Sequence, residues 1–240
     1  AGAGPVALID TDPQGSLADW WQARGDDAMT LVQPAVDCLA DALQELRAVG
    51  VKLVFIDTQP TVTDKIRKIV GAADLVVIPT RPSPHDLRAV GPTLDLVEAC
   101  EKPMVFAINS ATRRARITSD AAVALSQHGV VAPVTIHNRI DFATSMIDGR
   151  SVVEMAPESQ SSKEIKGLWA YIEERLRRLK SHYPRLVEPA PEPEDSLGVY
   201  YNDIETVLSV TVTPIAEHQA RPAAKKSLNF GFPVAFGRRG

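Results

Sequence analysis

The sequence predicts an α/β fold: a mostly parallel sheet with helices on both faces, followed by a low-order C-terminal tail. Three observations carry this. Short runs rich in Val and Ile lack strict polar alternation, as strands covered on both faces do. Helical patterns separate the runs. The connectors are short, so successive strands are joined by right-handed crossovers.

The strand runs are VALID (6–10), VKLVFID (51–57), DLVVIPT (74–80), PMVFAIN (103–109) and VAPVTIHN (131–138). The first helical pattern covers 35–49 and stops at Gly50. The second covers 61–72 and places Ile66, Ile69 and Val70 on one face. A third follows a Pro-Ser-Pro turn over 85–100, and a fourth covers 118–128, with Thr118 or Ser119 as its N-cap and Gly129 as its stop. The strongest pattern is 163–181, where Ile165, Leu168, Trp169, Ile172, Leu176 and Leu179 form one apolar stripe. Its cationic end, Arg175 to Lys180, suits the helix dipole.

Residues 1–183 therefore read as one domain, and 184–240 as a Pro-rich acidic linker and low-order tail. Within the tail, 207–215 alternates like a single strand, and every charge from Arg221 to Arg239 is basic. A 240-residue chain that is 45% hydrophobic can bury a sizeable core. The net charge of −4 excludes a globally basic nucleic-acid binder, so any such contact needs a local patch. Two cysteines, Cys38 and Cys100, are too few for a zinc site or disulfide framework; both are expected as core thiols in a reducing cytoplasm. No run approaches the ~18 apolar residues of a membrane span, and no signal peptide is read at the start.

Candidate chemistry sits at strand ends. Ligands of open α/β sheets bind outside the carboxyl ends of the strands. Asp10 and Asp12 follow the first run, and Asp57 closes the second. A strand-end acid can hold Mg²⁺ through water, and a second can orient an attacking water. A lone strand-end Asp also serves as a helix N-cap, which stays open for Asp57; three acids on two strand ends favour a shared cation or phosphate site. A dinucleotide fold would need G-x-G-x-x-G upstream, and the chain has none.

DTDPQGSLADWW (10–21), FIDTQP (55–60), LVVIPTRPSPHDLRAVG (75–91) and GRSVVE (149–154) together resemble the ParA/MinD family of partition ATPases. The likeness is to short plasmid-type members without an N-terminal helix-turn-helix domain, and it runs from about residue 5 to about 180. It implies a P-loop NTPase-like fold, Mg²⁺ and ATP as cofactors, and an ATP-dependent homodimer. By motif, Asp12 orients the hydrolytic water, Asp10 lies near Mg²⁺, Asp57 is the metal-side carboxylate, and Thr58 follows in the switch region. Asn109 ends a strand near the adenine position, where an ordinary turn residue is the other reading.

The family's non-specific DNA binding points to Arg113, Arg114, Arg116, Arg139 and Arg150. For Arg113–Arg116 a solvated loop or a place beside the nucleotide base is also open. Trp20 and Trp21 are read as packing residues rather than partner contacts. A centromere-binding protein is the partner implied, with no membrane, and the location is cytoplasmic and nucleoid-associated. The function implied is partition of plasmid or chromosomal DNA.

One departure is large. No G-x-x-x-x-G-K-[ST] occurs in the 240 residues, and the start AGAGPVALID matches the end of the helix that follows that loop in the family. The expectation is an N-terminally truncated member with weak or no ATPase activity. The alternative is a non-catalytic ParA-like binding module or gene fragment. Gln59 is a smaller, tolerated departure.

Overall fold

The computed structural model describes residues 4–25, 28–59, 61–182 and 206–211. Its strands are β1 (Val6–Asp10), β2 (Thr30–Val32), β3 (Leu53–Thr58), β4 (Leu75–Thr80), β5 (Met104–Ile108), β6 (Val130–Val131) and β7 (Thr206–Thr211). They form one parallel sheet in the order β2-β1-β3-β7-β4-β5-β6. The helices are α1 (Ser16–Arg24), α2 (Leu39–Ala48), α3 (Asp64–Ala72), α4 (Pro84–Ala89), α5 (Gly91–Ala99), α6 (Arg116–Ser126), α7 (Ile140–Ser145), α8 (Val152–Met155) and α9 (Gln160–His182).

Strand residues point alternately to the two faces. Ala7, Ile9, Val54, Ile56, Val76, Ile78, Phe106 and Ile108 meet α2, α3, α5 and α6 in the larger core. Leu53, Leu75, Val77, Val105 and Ala107 meet α9 through Ile172 and Leu176 in the smaller one. Residues such as Ile56, Ile69, Leu75 and Ile78 are fully buried, and each contributes about 1.5–3 kcal/mol by leaving water. Phe55 and Trp169 lie with ring centroids 5.9 Å apart on the α9 face.

Most expected elements are present, with corrections. Of the fifth run (131–138) only Val131 lies in a strand, β6 (Val130–Val131), with an isolated bridge from Ala111 to His137; Pro133 has no N–H for a ladder. The 85–100 helix is two, α4 and α5, with Pro92 in the first turn of the second. The fourth helix starts at Arg116 with Ala115 at its N-cap, not at Thr118 or Ser119; Ser119 Oγ instead donates to Arg116 O (2.7 Å). Cys38 is exposed at the N-cap of α2 rather than a core thiol, and Cys100 is half-buried.

β7 lies inside the segment read as a tail, where the sequence alternates. It pairs with β3 over Leu53–Thr58 and with β4 over Leu75–Val77. The rest of 184–240 lies outside the described residues.

Candidate functional site

β1 and β3 are in direct register, Asp10 beside Asp57. Both carboxylates stand at the carboxyl edge, on the sheet face that also presents Leu8 and Phe55. The Thr11 hydroxyl donates to Asp57 O at 2.6 Å, and Thr11 N donates to the same oxygen at 3.0 Å. These two bonds tie the turn after β1 to the tip of β3.

The three acids differ in their partners. Asp10 is 3% exposed and accepts from Asp12 N (3.0 Å) and Ala18 N (2.9 Å). Ala18 lies in the first turn of α1, whose own N-cap, Gly15, has no side chain to offer. Asp10 thus satisfies a helix-end donor and sits at the positive end of the α1 dipole. Asp12 Oδ1 accepts from Gln14 N (2.9 Å), which fixes the turn into α1.

Asp57 Oδ1 accepts from the adjacent Thr58 N (3.1 Å), and α3 is capped by Thr63 Oγ1, not by Asp57. Burial, then the charges of Asp10 and Asp12, push the Asp57 carboxyl up to about 6. Thr58 follows it, fully buried.

This donor set has the chemistry for Mg²⁺ brought in with a phosphate. Mg²⁺ keeps several waters and takes one or two protein carboxylates. Asp57 supplies a carboxylate whose charge is held off by its neighbours, which a cation relieves. Among the described residues no group of three or more His, Cys, Asp or Glu side chains could cage a metal unaided.

The remaining sequence candidates are scattered. Asn109 follows β5, three strands from β3, so about 14 Å at ~4.8 Å per strand. Its Oδ1 accepts from Ser110 N (2.8 Å) and its N–H bonds to Thr80 O (2.9 Å), a turn role. Arg113 and Arg114 lie in the loop before α6 and Arg116 is its first residue; all three are exposed, and Arg116 lies 3.8 Å from Asp120. Arg139 is half-buried and pairs with Glu164 at 2.6 Å, beside His137. Burial pushes the Glu164 carboxyl up, but bonds from Arg139 and His137 hold it below its ordinary value. Arg150 is exposed, 2.7 Å from Asp148.

Sequence reasoning missed a clamp at the C-terminal end of α1. Arg24, at the end of α1, makes a two-bond pair with Glu154 of α8 (2.8 and 2.5 Å) and donates to Gly149 O at 3.4 Å. The guanidinium lies 5.9 Å from the Trp20 ring centroid. Glu154 also closes a capping box with Ser151. Only that S-x-x-E spacing is visible in the sequence. Trp21 Nε1 donates to Met29 O (2.9 Å), an intramolecular packing role as expected.

No family model matches the chain. Maintenance of carboxysome distribution protein A of Halothiobacillus neapolitanus is 26% identical over 172 residues, covering 67% of this chain and 79% of the relative. The protein of that name from Gloeobacter kilaueensis is 42% identical over 85 residues, 34% of this chain and 38% of its own. The crystal structure of the Pyrococcus furiosus cell division ATPase MinD superposes with a TM-score of 0.51 at 16% identity, covering 70% of this chain and 86% of that one. A parallel sheet with in-register acids at its carboxyl edge agrees with that likeness, and the chain has the ParA/MinD-family ATPase fold.

Proposed function

We propose that the chain acts as a ParA-type Mg²⁺-ATPase that dimerises on ATP, binds DNA non-specifically and distributes an intracellular cargo. The observation that carries this reading is the Asp10–Asp57 register, with Asp12 two residues past the tip of β1. Bound Mg²⁺ would supply charge neutralisation at the transferring phosphate. Asp57 would hold it through water. Asp12 would orient the attacking water, and Asp10 would keep the turn carrying Asp12 in place. The two relatives are named for carboxysome distribution, which favours that cargo over a plasmid or chromosome.

For DNA, the exposed Arg113, Arg114 and Arg116 loop and Arg150 are the best-placed cations. Arg139 is engaged with Glu164 and contributes less. Phosphate contacts of this kind weaken steeply with salt.

The test is Mg²⁺-ATP binding and turnover by the full chain beside Asp12→Ala and Asp57→Ala. The proposal expects both substitutions to cut turnover by about 10²-fold or more. A folded chain that binds no Mg²⁺-ATP would overturn it in favour of a non-catalytic binding module.

A further inference from the structure

The turn that carries Asp12 is anchored in two directions. One set of bonds lies within the turn and α1. Asp10 Oδ1 accepts from Asp12 N (3.0 Å), Asp10 Oδ2 from Ala18 N (2.9 Å), and Asp12 Oδ1 from Gln14 N (2.9 Å). Gly15 N donates to Asp12 O at 2.9 Å. These bonds fix Asp12 relative to α1, and none of them reaches β3.

Thr11 supplies the link to β3. Its N–H and its hydroxyl both donate to Asp57 O, at 3.0 and 2.6 Å. The N–H bond follows on from the β1–β3 ladder, one residue past Asp10, and any residue but proline could make it. The hydroxyl bond belongs to this side chain. Thr11 is β-branched and stiff at χ1, so committing its Oγ to Asp57 O also restricts the backbone that leads into Asp12.

α1 has need of such a link. Of its nine residues Ala18 alone is buried, while Leu17, Trp20 and Trp21 are half-buried. Its C-terminal end is held by the Arg24–Glu154 pair. A helix with so little core contact can shift against the sheet, and it would carry Asp10's bonds and the Asp12 carboxylate with it.

We propose that Thr11 is a positioning residue whose hydroxyl fixes the Asp12 carboxylate relative to Asp57. It acts through Asp57 O and not on the substrate. The kinetic consequence rests on the ATPase reading: Asp12 orients an attacking water productively only while its place beside the Asp57 cation is held.

The test compares the full chain with Thr11→Val, which removes the O–H donor and keeps the shape, and Thr11→Ser, which keeps the donor. Thr11→Ala is read alongside, in case valine at this turn prevents folding. The first readout is amide hydrogen exchange at Asp12 and Gln14, whose N–H groups bond to the Asp10 and Asp12 carboxylates and so report where these stand. Thr11→Val should speed exchange at both about tenfold and leave β4 and β5 unchanged, as loss of one hydrogen bond would. The second readout is kinetic. Thr11→Val should lower kcat about tenfold while the Kd for Mg²⁺-ATP stays within about twofold, the split expected of an interaction that matters in the transition state. Thr11→Ser should restore both readouts.

Unchanged exchange at Asp12 and Gln14 would overturn the proposal whatever the kinetics. Faster exchange with unchanged kcat would overturn it too, because Asp12 would then work without the tether. A Thr11→Ser chain that behaves like Thr11→Val would assign the effect to the lost methyl group and not to the hydroxyl. A parent chain that binds no Mg²⁺-ATP is a failure of the ATPase reading, seen before any substitution is made. The exchange readout then decides by itself whether Thr11 holds the carboxylate.

Discussion

Asp10 and Asp57 stand opposite one another on adjacent parallel strands, yet the surroundings have given them different work. Asp10 is anchored by two backbone N–H groups, one of them in α1. Asp57 has its own neighbour's N–H and is left facing two negative charges. The anchored carboxylate holds the turn, and the under-satisfied one is suited to a cation.

That contrast predicts a pH dependence. Burial and the two neighbouring acids raise the Asp57 carboxyl from an unfolded value of 3.8 to about 6. Between those values the native state binds more protons than the unfolded chain, so this group's contribution to stability falls as pH rises from about 4 to 6. Asp57→Asn should therefore stabilise the ligand-free protein at pH 7 by about 1–2 kcal/mol, allowing for solvent screening of a partly exposed group. Urea unfolding at pH 7 and at pH 4 checks this: the gain should shrink at the lower pH. A variant less stable than the parent at pH 7 would mean that Asp57 is paired in the native state.

Glu154 titrates in the opposite sense. Its bonds from Arg24, then from Ser151, hold its carboxyl down at about 2, below the ordinary 4.5. This contribution is complete above pH 4.5 and is lost as pH falls from there towards 2. Glu154→Gln should cost about 0.5–1 kcal/mol at pH 7, since its side chain is 41% exposed and the pair is screened. The cost should vanish near pH 2 in a thermal-melt series. A loss that persists unchanged at that pH would assign the effect to packing.

Gly149 predicts a larger effect. Its φ is +72°, and a Cβ there would come within 2.1 Å of the Arg24 backbone nitrogen and 2.3 Å of its Cα. The contact is backbone against backbone, so no side chain can swing away. Gly149→Ala should cost at least about 2 kcal/mol and should loosen the Arg24–Glu154 pair, because the clash lies at its base. Denaturant unfolding of Gly149→Ala beside Gly71→Ala, where a Cβ would meet nothing within 4 Å, separates the two effects. Equal losses at both positions would defeat the argument.

The local code was legible where burial dictates residue type. Runs such as LVFID and LVVIPT became strands because their Val and Ile side chains are wanted on both faces. β2 escaped notice because Thr30–Val32 is three residues long and none of them is buried. The Asp-rich tip was visible as chemistry, but the cap that Asp10 gives α1 was not. That bond joins residues eight apart across a turn whose path depends on Thr11 meeting Asp57. The Arg24–Glu154 clamp spans 130 positions, a separation for which a single sequence holds no periodic signal. Strand order was equally hidden. Alternation within 207–215 predicts a strand, but nothing local says that it belongs between β3 and β4.

That placement carries the last prediction. The sheet order gives β3 and β4 no ladder with each other; each pairs with β7 instead. β7 is then the only strand joining the β2-β1-β3 half of the described sheet to the β4-β5-β6 half. Ser209 sits in register with both Ile56 and Val76 at the middle of this junction. A proline there removes a ladder donor and clashes in a central strand, which costs about 3 kcal/mol or more. Ser209→Pro should lower the urea midpoint sharply and speed amide exchange in β3 and β4 together. Ser209→Ala, which keeps the backbone donor of the ladder, is the matched control and should leave those amides protected. Protection of β3 and β4 that survives Ser209→Pro would mean that the two halves hold together without β7, through the helices that bridge their faces.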